Sequence, residues 1–218
     1  MLLNYALSRV AEQLSLDADA LYAFAAEDEI GGFPASVPPF VDWAGGSIWS
    51  VEGKFLYAVT RGLQPDHVLE CGTKWGCSTS HFLSAVHANG HGIVTSVDKG
   101  VDPDITGAGY GSRIPDTLRT NWRFQFPMSA QDFIRQDDTP FDIAYEDTIH
   151  QFEETAEILS MMKARHTVKV IISHDICHPW VGNEMRQAWG AVFGAEGGDW
   201  QAYCIEPSDC GLAVWRRP

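Results

Sequence analysis

Short apolar runs alternate with helix-forming stretches from residue 68 to the end of the chain. The runs lie at 68–71, 92–98, 124–126, 141–146, 168–173, 201–205 and 211–215. The run at 168–173 is the richest in β-branched residues, which is typical of a buried central strand. Such alternation predicts an α/β fold whose mostly parallel sheet has helices on both faces. The last two runs are close enough in sequence to form an antiparallel pair at the C-terminal end.

The first 49 residues have a different pattern. Leu3, Leu7, Val10 and Leu14 follow a helical spacing, and glycines and prolines between residues 31 and 39 then interrupt regular structure. We therefore expect an N-terminal helical segment and loop at 1–49, followed by the main domain at 50–218. A helix over 51–62 would open that domain.

Charge and cysteine content exclude several classes of function. The formal net charge is -14, and a strongly acidic surface repels nucleic acids and anionic membranes. We find neither a signal peptide nor a membrane-spanning stretch. The five cysteines are odd in number and form no CxxC pair, so we expect free thiols. These features together predict a cytoplasmic protein.

The segment from Glu70 to Thr79, Glu-Cys-Gly-Thr-Lys-Trp-Gly-Cys-Ser-Thr, contains the strongest local signal. An acidic residue ends a strand, Gly72 permits a sharp turn, and Gly76 would let a ligand approach the backbone. Asp98 ends the next strand, where a carboxylate accepts hydrogen bonds from a ribose diol. The pattern predicts a nucleoside-containing ligand. NAD is disfavoured because Lys74 occupies the middle glycine position of the dinucleotide motif.

This segment resembles the first motif of the class I S-adenosylmethionine-dependent methyltransferases, which have a Rossmann-like seven-stranded sheet. The resemblance implies that the cofactor lies against Gly72 and Gly76, that Asp98 holds its ribose and that Glu70 organises the loop. Thr73 and Ser78, in the same motif, are assigned to the cofactor site. The stretch 127–130 resembles the loop that borders adenine, which adds Ser129 although Met128 replaces the usual acid.

A second group of polar residues follows two later strands. Asp147 and His150 come after the run at 141–146, and His174 and Asp175 come after the run at 168–173. Strand ends of open α/β sheets are where ligands bind. A hydroxyl must lose its proton to attack a sulfonium methyl group, and histidine has a pKa near neutrality. Carboxylates are suited to Mg²⁺, which would acidify the hydroxyl.

These two stretches resemble the metal-dependent small-molecule O-methyltransferases, which include enzymes acting on catechols and on macrolide sugars. The resemblance implies that His150 is the catalytic base and that Asp147 is catalytic and binds the metal. His174 and Asp175 would be the other metal ligands, with His174 departing from the family's acidic or amide residue. We therefore predict S-adenosylmethionine-dependent methyl transfer to a hydroxylated small molecule, with or without Mg²⁺. The segment 1–49 would cap the acceptor site.

Three alternatives remain open from the sequence. One is a related fold with a different reaction, such as a protein associated with cephalosporin hydroxylation. The others are an NAD-dependent oxidoreductase and a non-catalytic module that binds the cofactor. A zinc site at His174, Asp175 and His178 is disfavoured by Pro179. Neither the acceptor nor the choice between a monomer and a homodimer follows from the sequence.

Overall fold

Seven strands form the centre of the structure, a computed structural model that describes residues 2–27, 48, 50–102, 105, 109–205 and 210–218. The strands are β1 (His67–Cys71), β2 (Ile93–Val97), β3 (Trp122–Gln125), β4 (Ile143–Glu146), β5 (Val170–Ser173), β6 (Trp200–Tyr203) and β7 (Leu212–Arg216). They lie in the order β3-β2-β1-β4-β5-β7-β6. Strands β1 to β5 are parallel, and β7 runs antiparallel to both β5 and β6. The predicted fold class is confirmed.

The register of the sheet aligns the carboxyl ends of four strands. Cys71 is paired with both Val97 and Glu146, and Glu146 is paired with Ser173. The residues that follow these strand ends therefore emerge side by side along one edge of the sheet. This edge contains the polar residues that the sequence analysis selected.

The helices cover both faces of the sheet. They are α1 (Leu2–Leu14), α2 (Ala18–Ala26), α3 (Ser50–Leu63), α4 (Cys77–Asn89), α5 (Ala130–Gln136), α6 (Phe152–Ala164) and α7 (Gly182–Phe193), with a 3-10 helix at Asp116–Asn121. Alternate strand residues face opposite sides. Val68 packs with α1 to α4, whereas Leu69 packs with α5 to α7, so the core is divided into two layers.

The N-terminal helices share the first of these two layers. Leu7 and Val10 of α1 are fully buried in the same cluster as Val68. The side chain of Gln13 donates to the carbonyl oxygen of Val214 over 2.8 Å and accepts from the hydroxyl of Tyr203 over 2.7 Å. The helical pattern predicted for this segment is confirmed. Of the loop predicted between the segment and the main domain, only residue 48 lies within the described part of the chain.

The cysteines differ from expectation at one pair. Cys177 and Cys204 form a disulfide, whereas Cys71, Cys77 and Cys210 are free. The expectation of five free thiols is therefore wrong for this pair. An odd count leaves at least one thiol free but does not prevent two others from pairing, here one in the segment after β5 and one directly after β6.

None of the described helices combines the length and the apolar character that crossing a bilayer requires.

Candidate active site

A cavity of 590 Å³ opens at the carboxyl edge of the sheet, beside the ends of β1, β2, β4 and β5. Gly72 and Asp98 line one end of it, and Asp147, His150 and Asp175 line the other. This volume falls within the range of small-molecule sites, about 300–1,000 Å³. The two groups of residues that the sequence analysis selected therefore share a single cavity.

The turn after β1 is built on a glycine and an aspartate. Gly72 has a φ of +95°, and a Cβ there would overlap the carbonyl oxygen of Asp147. The carboxylate of Asp98 accepts hydrogen bonds from the backbone amides of Thr73 and Lys74 over 2.9 and 3.0 Å, and from Gly100 over 2.8 Å. Asp98 thus fixes the shape of the turn while its carboxylate still lines the cavity.

Gly76 has a packing role that the sequence did not indicate. Its φ is +82°, which favours glycine, and a Cβ there would meet Ile114 and Gly111, which belong to the segment between β2 and β3. The residue is therefore needed for the left-handed start of α4 and for close packing against that segment. Its predicted contact with the cofactor stays a prediction, and Gly76 is not among the residues that line the cavity.

Glu70 is completely buried beneath the turn rather than exposed to the cavity. Its carboxylate accepts hydrogen bonds from the hydroxyls of Ser78, Thr79 and Ser96 over 2.6, 2.6 and 2.5 Å. These contacts join the end of β1 to the start of α4 and to β2. Burial raises the pKa of Glu70 to about 7, although the three hydroxyls oppose the shift.

Glu70→Gln is expected to become more stable relative to the wild type as the pH rises from 5 to 8. Since the folded-state pKa is raised from 4.5 to about 7, the folded protein binds this proton more tightly than the unfolded chain, and wild-type stability falls as pH rises through that range. The shift corresponds to about 3 kcal/mol at most. Glutamine stays neutral and removes this dependence. Urea unfolding of both proteins at pH 5 and at pH 8 measures this dependence of the free energy of unfolding on pH.

The measured quantity is how the difference in free energy of unfolding between Glu70→Gln and the wild type changes with pH. Hydrogen bonds lost in the variant shift this difference by the same amount at every pH, so they do not affect the change. Glu153→Gln, on the exposed start of α6, is the matched control and should leave the pH dependence unchanged. Parallel pH profiles for Glu70→Gln and the wild type would contradict the assignment.

The remaining two residues assigned to the cofactor differ in position. Ser78 lines the cavity while its hydroxyl donates to Glu70. Ser129 lies outside the lining and caps the start of α5, where its hydroxyl accepts from the amide of Asp132 over 3.1 Å. The side chain of Ser129 is thus occupied by the helix N-terminus.

His150 lies between two carboxylates at the other end of the cavity. Its Nε2 is 3.0 Å from Asp147 Oδ1 and 3.0 Å from Asp175 Oδ2. Both His150 and Asp175 have a positive φ, of 56° and 59°, so the turns after β4 and β5 hold non-glycine residues in the left-handed region. Such backbone strain is common at functional sites.

The charges of this cluster shift one another's pKa values. Burial alone would lower the pKa of His150, but its contacts with Asp147 and Asp175 outweigh burial and raise the pKa to about 10. Burial alone would raise the pKa of Asp147, but the imidazoles of His174 and His150 lower it to about 2. The same two imidazoles overcome burial to lower the pKa of Asp175. In contrast to an unperturbed histidine, whose pKa lies near neutrality, His150 therefore carries a proton at neutral pH.

His174 joins this cluster to a residue that the sequence analysis missed. The His174 Nδ1 lies 3.7 Å from Asp147 Oδ1 and 3.5 Å from Asp175 Oδ1. The opposite ring nitrogen, Nε2, lies 2.9 Å from the carboxylate of Glu52, which is fully buried. Burial would lower the pKa of His174, but Glu52, Tyr145 and the two aspartates raise it well above its usual value. Glu52 lies in the first turn of α3, where an acid is ordinary, so its sequence context gives no sign of this partner.

The donor atoms of the cluster do not suit the Mg²⁺ that the sequence analysis considered. Among the described residues, two sets could hold a metal ion: Asp147, His150 and Asp175, and His174, Asp175 and Cys210. Mg²⁺ favours six oxygen ligands in an octahedron. Here imidazole nitrogens and a thiol converge with only two carboxylates, so we derive no step through Mg²⁺.

Comparisons with known proteins agree with this geometry. Residues 69–176 match a family model described as a methyltransferase domain. No curated protein matches the sequence. Among solved structures, the SAH-bound methyltransferase PaMTH1 from Podospora anserina is 13% identical with a TM-score of 0.62, over 92% of this chain and 95% of that chain.

Two further structures are similar over nearly their whole length. The O-methyltransferase TomG from Streptomyces achromogenes, in complex with SAM, is 16% identical with a TM-score of 0.61, over 95% of this chain and 99% of that one. An O-methyltransferase from Bacillus cereus in complex with SAH is 16% identical with a TM-score of 0.58, over 98% and 97%. At these identities the likeness establishes a shared fold.

Proposed function

We propose that the chain, whose residues 69–176 match a methyltransferase domain, transfers the methyl group of S-adenosylmethionine to a hydroxyl oxygen of a small molecule. The observation that carries the proposal is the single cavity shared by the Gly72–Asp98 turn and the His150 cluster. One end is suited to a nucleoside and the other to handling a proton. The fold is that of proteins whose structures contain SAM or SAH, TomG and the Bacillus cereus O-methyltransferase among them.

In this proposal the turn after β1 binds the cofactor, which supplies an electrophilic methyl group on a sulfonium sulfur. The carboxylate of Asp98 accepts hydrogen bonds from the ribose hydroxyls, using the lone pairs that its three amide contacts leave free. Gly72 and Thr73 place their backbone against the methionine part. The residues fit such a ligand because the turn is fixed in advance by Asp98, so little ordering is required on binding.

At the other end the neutral form of His150, which is the minor form at neutral pH, accepts the proton of the acceptor hydroxyl as the oxygen attacks the methyl carbon. Asp147 and Asp175 both hold the imidazole at Nε2 and make its neutral form a stronger base than free imidazole. Asp147 also connects the two ends, since its carbonyl oxygen lies against Gly72. Most of the rate acceleration would come from holding the acceptor oxygen in line with the methyl group.

The N-terminal segment 1–49 is proposed to cover the acceptor end. The support for this is Ile48, which lines the cavity and is buried. An apolar residue there suits an acceptor with an apolar body.

Titration calorimetry with S-adenosylmethionine, S-adenosylhomocysteine and NAD tests the proposal. We expect micromolar binding of the first two and none of NAD. Asp98→Ala should weaken binding at least about 100-fold, because about 3 kcal/mol of charge-assisted hydrogen bonding is lost from the turn and the ribose. Mass analysis of candidate acceptors after incubation would then detect methyl transfer.

Asp142→Ala is the matched control for Asp98→Ala. Its carboxylate also accepts two backbone amides, those of Asp66 and His67, but at the amino end of the sheet. Asp142→Ala should lower the free energy of unfolding without weakening cofactor binding. Binding of NAD alone, or of none of the three ligands, would refute the methyltransferase mechanism, whereas binding without turnover would leave a non-catalytic module.

A further inference from the structure

We propose that the Cys177–Cys204 disulfide is a site of reversible modification, which a small thiol opens in the folded protein and which controls how firmly the turn after β5 is held. The inference rests on the proposed function only for its consequence, a slower methyl transfer when the disulfide is open. The opening itself and the loosening of the turn can be measured without any methyl acceptor.

The disulfide ties the turn after β5 to the edge strand of the sheet. Cys177 lies in the segment that follows β5, Cys204 comes directly after β6, and the order β5-β7-β6 places β7 between them. The amide of Cys177 donates to the carbonyl oxygen of Cys210 over 2.7 Å, and its sulfur lies so close to Gly211 that a Cβ there would overlap it. The disulfide therefore crosses the start of β7 and holds three strand ends together.

The turn that the disulfide holds belongs to the acceptor end of the cavity. Asp175, two positions before Cys177, has a φ of 59°, and its carboxylate lies 3.0 Å from His150 Nε2. His178, one position after Cys177, lines the cavity. A non-glycine residue stays in the left-handed region only where the surrounding structure holds it there. Opening the disulfide removes one of these constraints, so Asp175 is held less firmly beside His150.

The surroundings of the two sulfurs favour attack by a thiol. Cys204 is exposed, so an incoming thiolate can reach its sulfur. The guanidinium Nη2 of Arg186 lies 3.7 Å from Cys177 Sγ and 4.0 Å from Cys204 Sγ. A positive charge beside a disulfide attracts an anionic thiol and stabilises the thiolate that leaves. By contrast, the free cysteines Cys71 and Cys77 are buried.

The exchange takes place in two steps. A thiolate attacks Cys204 Sγ, which forms a mixed disulfide, breaks the bond between the two cysteines and releases Cys177 as a thiolate. A second thiolate then attacks the sulfur of the small molecule in the mixed disulfide and releases Cys204. In total two small thiols are oxidised to one disulfide, the protein disulfide gains two electrons, and the two protons of the small thiols end on the cysteines. The disulfide form of the same small molecule reverses the reaction.

Incubation of the folded protein in millimolar glutathione, followed by alkylation of the unfolded chain and mass analysis, tests the site. We expect three free thiols before incubation and five after it, with the two new ones at Cys177 and Cys204. Transfer to oxidised glutathione should restore three. Circular dichroism of the incubated sample checks that the protein stays folded throughout.

Hydrogen exchange of the same samples tests the effect on the turn. The amides of Ile176 and Cys177, which donate to the carbonyls of Gly211 and Cys210, should exchange at least about tenfold faster in the open form. The amide of Gly72, in the turn after β1, should exchange as before. A difference confined to the turn after β5 is the result expected of a local constraint.

Arg186→Gln tests the role of the guanidinium. Reduction by glutathione should be about threefold to tenfold slower, because the incoming and the leaving thiolates both lose a neighbouring positive charge. Arg135→Gln is the matched control, since Arg135 pairs with Glu157 as Arg186 pairs with Glu196, at a comparably exposed position. This control removes the same charge without touching the sulfurs and should be reduced at the wild-type rate.

Cys204→Ser produces the open form without any thiol. It should show the fast hydrogen exchange and about threefold to tenfold slower methyl transfer, because the acceptor end is positioned less precisely. Its affinity for S-adenosylhomocysteine should stay within about twofold of the wild type, since the turns after β1 and β2 form the cofactor end. Glutathione should change none of these properties further, which excludes an effect through the other thiols.

The outcomes separate this inference from the proposed function. It is overturned if the disulfide resists glutathione until the protein unfolds, or if opening it leaves hydrogen exchange and methyl transfer as in the closed form. If Cys204→Ser does not fold, the glutathione-treated wild type decides. Opening and faster exchange in a protein that methylates no acceptor in either form would support the thiol site and refute only the proposed function.

Discussion

Gly72→Ala is expected to lose more than about 4 kcal/mol of folding free energy and all measurable cofactor binding. The added Cβ would occupy the space of the Asp147 carbonyl oxygen, and the backbone φ of +95° is unfavourable for any L-residue. The neighbouring backbone cannot yield easily, because the amide of Asp147 donates to the carbonyl of Cys71 over 2.9 Å. Urea unfolding and calorimetry measure the two losses.

Gly90→Ala is the matched control for this prediction. Gly90 ends α4 with a φ of +76°, but a Cβ there would meet no atom within 4 Å. The control therefore isolates the cost of a left-handed backbone, about 1 kcal/mol, and should bind the cofactor normally. If Gly72→Ala were no worse than Gly90→Ala, the turn after β1 would not be pressed against β4, and the link between the two ends of the cavity would be lost.

The sheet was predictable because each strand has a local signal. The β-branched run at 168–173 contains β5, and the turns after β1 and β2 follow from glycine and acidic residues at strand ends. Parallel strands place their carboxyl ends at one edge, so Asp98, Asp147 and Asp175 were correctly expected at the same cavity. Local pattern and connection rules were sufficient for these features.

Other features depend on contacts between distant segments, and no local pattern encodes them. Glu52 and His174 are 122 residues apart and meet only after α3 has packed beside β5. The Cys177–Cys204 disulfide likewise requires the folded position of the turn after β6. For Gly76 the sequence indicated a left-handed turn, but not its close packing against Ile114.

Buried carboxylates explain why the site could be only partly anticipated. Glu146 ends β4 and Glu70 is the penultimate residue of the neighbouring β1, and both are completely buried under hydroxyl donors. Burial raises the pKa of Glu146 as it does that of Glu70. These residues shape the turns without lining the cavity, whereas the aspartates one or more positions later do line it. A motif of acidic residues at strand ends therefore contains both positioning residues and residues that meet the ligand.

His150→Asn is expected to slow methyl transfer by about 100- to 10,000-fold while leaving cofactor affinity unchanged, because it removes the group that accepts the hydroxyl proton. Asparagine tolerates the left-handed backbone at this position, where φ is 56°, so the turn after β4 should be preserved. The rate is measured as S-adenosylhomocysteine released with an acceptor that the wild type methylates, beside calorimetry of the cofactor.

His91→Asn is the control for this variant, since His91 is exposed and its ring nitrogens lie 3.2 Å from the carbonyl oxygens of Asn89 and Gln64, away from the cavity lining. A rate within tenfold of the wild type for His150→Asn would assign proton transfer to another group.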